Sequence, residues 1–306
     1  MENLYWYELY GKTVCSQIEY HHLLATDLRR AEISIELADL KRKIDDETGC
    51  FVDDITKERI YFCNQTGTFQ ISNGNKIEIC PNRGVPLEQL TPFVFGYCMA
   101  MLFWQLDMVA IHCSAVEYQG KALLIAGNSG SGKSTLTTTL LEHGCKLKTD
   151  DVAILDVTNP ETIWVFSAFP QQKLCRDAAV RNMYDTKELL YIDEDRDKFA
   201  IPRRDNFCKE RSLLKGIVFL TVQNEDKDVH FEKLSGHEKL ISYLENNFLF
   251  PMFRESNVFT PYDMQRAFGV VQNVSMYKIF RPNGVDSTLE QMKYIMGNIL
   301  AVGEEE

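Results

Sequence analysis

Eight consecutive residues, Gly127-Asn-Ser-Gly-Ser-Gly-Lys-Ser134, fit the spacing Gly-x-x-x-x-Gly-Lys-[Ser/Thr] without a substitution, and an adjacent carboxylate pair follows at Asp150 and Asp151. Glycine at 127, 130 and 132 lets the backbone take positive φ and turn successive N–H groups inward, which makes a concavity for phosphate oxygens at a helix N-terminus. Gly127, Asn128, Ser129, Gly130, Ser131, Gly132, Lys133, Ser134 and Thr135 are therefore the expected phosphate-binding residues. In such a loop the Lys133 ammonium holds the β and γ phosphates and the Ser134 hydroxyl is a Mg²⁺ ligand, so ATP and Mg²⁺ are the expected cofactors.

Asp151 stands eighteen residues after Lys133, leaving room for one helix and one strand, Cys145–Thr149, to bring the pair back beside the loop. Neighbouring strand residues point to opposite sides, so one of the two can face the metal and the other a substrate hydroxyl. Two adjacent carboxylates should raise at least one pKa, which a bound Mg²⁺ would oppose. A two-residue turn at Gln119-Gly120 would pair positions whose numbers add to 239 and set His112 opposite Gly127, looking into the site. A register slip of one residue would instead make it a core histidine.

The flanking elements suit the loop. Ala122–Ile125 reads as a buried strand, and Leu136, Leu140 and Leu141 line one side of a helix that Gly144 can end. Phe93–Ile111 is the most apolar stretch, but Gln105, Asp107 and Gly96 interrupt it, which predicts a buried helix leading into a strand and no membrane span. Before residue 90, short runs such as Ile60–Cys63 and Thr68–Ile71 are separated by turn signals at Gln65–Gly67 and Ser72–Gly74, the pattern of a small β-rich domain. The expected organisation is a β-rich domain at 1–90 and an α/β domain at 91–306, with the boundary between Pro81 and Pro92. The charged segments Asp27–Glu32 and Leu40–Glu47 read as solvated, and Glu304–Glu306 as a frayed end.

The 306 residues carry a formal net charge of −11 and no basic run interleaved with aromatics, so nucleic acid is not an expected partner. Nine cysteines without CxxC spacing suggest reduced thiols, and the first residues lack a signal-peptide pattern, so a cytoplasmic location is expected.

Ile111-His-Cys-Ser-Ala115, the loop, Gly144 and Thr149-Asp-Asp151 together resemble the catalytic core of the HPr kinase/phosphorylase family, with a weaker likeness to ATP-type phosphoenolpyruvate carboxykinases. Ala168–Leu174 and Tyr277–Pro282 are similar to segments of HPr-kinase-related proteins of ribosomal peptide pathways, including lasso peptide kinases. The resemblance implies an α/β P-loop kinase core of the HPr kinase/phosphoenolpyruvate carboxykinase type. Asp151 would then be the proton acceptor, His112 its partner, Lys133 the phosphate clamp, Ser134 the metal ligand and Asp150 the metal-side carboxylate. It also implies phosphoryl transfer to a serine hydroxyl of a peptide or protein, and a possible homo-oligomer. A kinase of a small hydroxylated metabolite and a non-enzymatic nucleotide sensor are the alternatives.

The glutamate- and glycine-rich segment of true HPr kinases has no counterpart here, so HPr as substrate and the reverse reaction are not implied. Asp177 lies near where a further metal carboxylate would fall and is left outside the expected site. Arg203, Arg204, Arg254 and Arg281 are candidates for phosphate, nucleotide or acidic-peptide contacts. Leu234-Ser-Gly-His-Glu238 resembles part of a transporter-ATPase signature, but the apolar strand ending in Asp-Glu that should follow is missing.

Overall fold

The computed structural model describes residues 3–40, 50–193, 197–224 and 227–301, so the charged positions 41–47 and Glu304–Glu306 lie outside the described residues. The fold is α/β with mixed sheets. Strands between Tyr5 and Pro81 form one eight-stranded sheet, and the turn signals at Gln65–Gly67 and Ser72–Gly74 fall in its hairpins. Helical segment 91–105 then packs its apolar side chains, Val94, Met99, Leu102 and Phe103 among them, onto that sheet in a core shared with Val152, Ile154 and Phe253. The apolar stretch is thus a buried helix. Its core runs across the expected boundary at Pro81–Pro92.

The second sheet carries the loop. Strand β1 (Val109–Tyr118) turns at Gln119 and Gly120 into β2 (Lys121–Gly127). Both turn residues have positive φ, 50° and 78°, as a type I′ hairpin requires. The pairing runs from Tyr118↔Lys121 to Cys113↔Ala126, the register expected from a two-residue turn. Along β2, Leu123 and Ile125 pack with Leu136, Leu140 and Leu141, whereas Ala122, Leu124 and Ala126 pack with Tyr243 and Val270. Period-2 alternation therefore buries both faces of one strand under different helices.

Helix α1 (Lys133–Glu142) begins at Gly132, and the Cys145 and Gly144 amides bond back to the Leu140 and Leu141 carbonyls at 3.1 and 3.4 Å. That double closure is the Schellman arrangement, with Gly144 at φ +94°. Strands β3 (Lys146–Thr149) and β4 (Val152–Asp156) both pair with β1, antiparallel, on the side away from β2. Within the expected α/β domain the chain thus returns directly to β1 after α1, through two consecutive antiparallel strands.

Strand β5 (Gln171–Cys175) belongs to a separate three-stranded sheet with Lys198–Pro202 and Leu190–Asp193. Strand β6 (Ser212–Gln223) lies parallel to β2, and beyond it β7 (Ser275–Pro282) is parallel to β6. Helix α2 (Gly236–Asn246) starts inside the transporter-like segment and continues where the rival signature would need a strand. Eight of the cysteines, six of them buried, are free thiols, and among the described residues no helix is long and apolar enough to cross a membrane.

Candidate active site

The loop folds as its glycines dictate. Gly127, Gly130 and Gly132 have φ of +135°, +80° and +100°. At Gly127 the constraint is also steric, since a Cβ there would lie 2.4 Å from the Leu220 carbonyl oxygen. The Gly127 N–H donates to Asn246 Oδ1 at 3.1 Å, so the end of α2 fixes the start of the loop. Lys133 Nζ folds back on the loop and donates to the carbonyls of Gly127 and Asn128 at 2.6 and 3.1 Å. Burial pulls the Lys133 pKa below its ordinary value, while Cys113, Asp150 and Asp151 act in the opposite direction.

Asp150 and Asp151 occupy the bend between β3 and β4. They are not consecutive residues of a strand: β3 ends at Thr149, after a register shift on β1 between Leu147 and Thr149, and β4 starts at Val152. They nevertheless face different partners. Asp150 accepts from the Ser114 hydroxyl at 2.7 Å and from the Lys173 backbone N–H at 2.6 Å. Burial pushes its pKa up to about 6 against these bonds, with a smaller push from Asp151. Asp151 is held below the usual carboxylate range: burial would raise it, but the Lys173 ammonium, 2.8 Å from Oδ2, and His112 outweigh that. The two acids are thus driven in opposite directions, Asp150 upward by burial and Asp151 downward by its cationic neighbours.

His112 sits in β1, paired with Val152 of β4. Its Nδ1 lies 3.8 Å from Asp151 Oδ1, too far for a hydrogen bond, and has no hydrogen-bond partner although it is buried. Burial lowers its pKa and the Asp151 charge raises it. A neutral imidazole with an orphaned nitrogen beside an ionised carboxylate is a proton-handling arrangement. The Ser131 hydroxyl inside the loop is likewise buried without a partner.

Strand β5, which sequence reasoning left out of the site, ties these parts together. Gln172 Nε2 donates to the Ser134 carbonyl at 2.9 Å, and the next residue, Lys173, holds both aspartates. The signal in the sequence was only that Lys173 lies within Ala168–Leu174. Arg203 is spent on Gln172 Oε1 and the Tyr184 hydroxyl, Arg204 reaches the His21 carbonyl, and Arg254 lies over the Phe250 ring. Arg281 alone of the four arginines touches the loop. Asp177 is an exposed partner of Arg181 on a short helix and takes no part in the site.

The structure therefore gathers His112, Lys133, Asp150 and Asp151 within electrostatic reach of one another, with Gly127–Thr135 forming the loop beside them. Among the described residues no cluster of three or more His, Cys, Asp or Glu side chains is close enough to hold a metal by itself. The Ser134 hydroxyl and the Asp150 carboxylate would be the protein oxygens for a Mg²⁺ ion, which is commonly held by one or two of them together with phosphates and water. Each Asp150 oxygen accepts one hydrogen bond from the protein and keeps a second acceptor position.

No family model matches the chain. It is 22% identical over 173 residues to the HPr kinase/phosphorylase of Lachnoclostridium phytofermentans, a match covering 55% of this chain and 51% of that protein. The chain thus spans about half the length of this relative. The Hpr(Ser) kinase/phosphatase of Coxiella burnetii superposes on 61% of this chain and 93% of its own at 12% identity, with a TM-score of 0.32, too low to bear on the site. The sequence match amounts to weak, partial homology to the HPr kinase/phosphorylase family.

Proposed function

We propose that this protein is an ATP-dependent kinase that transfers the γ-phosphoryl group to a serine hydroxyl of a peptide or protein, with a ribosomally made precursor peptide as the substrate class. The observation that carries this reading is the convergence of an ionised Asp151 and an orphaned His112 nitrogen on a glycine loop ending in Lys133 and Ser134. The serine-peptide acceptor rests on the sequence resemblance; the partial homology supports phosphotransferase chemistry in general.

In this reading the loop amides and Lys133 bind the phosphates, the lysine exchanging the Gly127 and Asn128 carbonyls for phosphate oxygens. Mg²⁺ held by Ser134 and Asp150 would supply charge neutralisation on the phosphates. Asp151 accepts the proton of the acceptor hydroxyl, and His112 orients that carboxylate. Catalysis is chiefly positioning and charge compensation, as phosphoryl transfer demands.

Incubation with γ-labelled ATP, Mg²⁺ and a serine-containing precursor peptide should add one phosphoryl group to a serine, read by mass spectrometry. Asp151→Asn should cut transfer by at least about a hundredfold while ATP still binds. Transfer to free serine or another small alcohol in place of the peptide would shift the reading to a metabolite kinase. The ion pair between Lys173 and Asp151 favours one further reading, a nucleotide sensor in which the carboxylate is never released. ATP binding without transfer to any hydroxyl would establish it and end the kinase proposal.

A further inference from the structure

We propose that Arg281, at the end of β7, is a positioning residue that sets the direction of the loop amides. The inference rests on the reading of Gly127–Ser134 as a nucleotide-phosphate cradle. Arg281 Nε donates to the Ser131 carbonyl at 2.6 Å and Nη2 to the Gly130 carbonyl at 3.0 Å, with Nη1 on the Pro282 carbonyl at 3.3 Å. Two successive loop carbonyls are therefore drawn to one planar fork.

The consequence follows from the geometry of the peptide bond. In a trans peptide the C=O and the N–H of the next residue point in opposite directions. Holding the Ser131 oxygen on Arg281 turns the Gly132 N–H away from the guanidinium, at the N-terminus of α1 where an anion is favoured. Holding the Gly130 oxygen fixes the peptide whose N–H belongs to Ser131, and that N–H closes the turn on the Asn128 carbonyl at 3.1 Å. One side chain sets both peptide planes.

Gly132 fits the same account. A Cβ at this residue would lie 3.1 Å from Arg281 Nε, so the glycine admits the guanidinium as well as the positive φ. Asn246 secures the loop at Gly127 and Arg281 secures it at Gly130 and Ser131, so the cradle is held from outside by two elements remote in sequence. A lysine could satisfy the charge but not the fork.

The test is binding of Mg-ADP by calorimetry together with amide hydrogen exchange of residues 128–134 in the nucleotide-free protein. Arg281→Ala should weaken ADP binding by about ten- to a hundredfold and speed exchange at Ser131, whose N–H is bonded to the Asn128 carbonyl, and Arg281→Lys should restore little of either. Should the alanine variant fail to fold, Arg281→Gln keeps one donor and gives the same comparison. Unchanged ADP affinity in a folded variant overturns the role of Arg281 and leaves the nucleotide site standing. Weakened ADP binding with wild-type exchange in the free protein also overturns it, because the guanidinium would then act on the phosphate itself. A wild-type protein that binds no ADP removes the cradle reading and this inference with it.

Discussion

Lys173 Nζ lies 2.8 Å from Asp151 Oδ2, and the backbone N–H of the same lysine donates to Asp150. A single residue of β5 thereby contacts both carboxylates and lowers the pKa of each; burial still prevails at Asp150 and is overcome at Asp151.

Replacing the ammonium should release both carboxylates upward. In Lys173→Met, burial is no longer opposed by the paired cation and the Asp151 pKa rises. Because the base acts deprotonated, the acid limb of the pH–rate profile should move to higher pH, and kcat at neutral pH should fall by about ten- to a hundredfold with the KM for ATP nearly unchanged. Lys173→Arg should recover much of the loss. An acid limb that stays in place would show that Lys173 does not set the charge of Asp151.

The loop glycines should respond unequally to alanine. At Gly127 the new methyl group would meet the Leu220 carbonyl at 2.4 Å, so Gly127→Ala should abolish nucleotide binding and lower the melting temperature. At Gly130 the Cβ position is open, so Gly130→Ala should cost only the backbone penalty of φ +80°, roughly 1–2 kcal/mol. Thermal melts with and without ADP check both.

His22 gives the fold a pH dependence separate from catalysis. It is packed against Phe169, Phe95 and Tyr20, with ring centroids 4.9, 5.2 and 6.0 Å away, and burial, helped by the charges of Lys173 and His21, lowers its pKa to about 4. The unfolded chain takes up a proton near pH 6.5 and the folded one does not. This residue's contribution is therefore complete above that pH and is lost as the pH falls toward 4. Urea unfolding should show wild type losing about 2 kcal/mol relative to His22→Phe between pH 7 and pH 5. Parallel curves for the two proteins would refute the assignment.

The phosphate loop, its strand and its helix were legible because each is a local pattern: glycine spacing, a run of apolar residues, leucines on one face. The Gln119-Gly120 turn also indicated the register of β1 on β2, and of the two registers it left open the one with the two-residue turn is formed. What could not be read was long-range. Lys173 reaches Asp151 from another sheet, Asn246 reaches Gly127 across more than a hundred residues, and neither contact leaves a periodic trace. The bend at Asp150–Asp151 was missed for a related reason: the bulged pairing of β3 with β1 is set by tertiary contact, whereas the sequence alone suggested a continuous strand. Lys148 is the clearest case. It is fully buried, with Nζ donating to Ser167, Ser212 and the Glu210 carbonyl, although a lysine in a short strand gives no hint of such a pocket.

Segment 91–105 belongs at once to the sheet that precedes it and to the loop-bearing half that follows. A protease cutting near Pro86 would accordingly yield two fragments that stay associated through a nonpolar seam. Any exchange of the amino-terminal module between related proteins would need to carry this helix along with it.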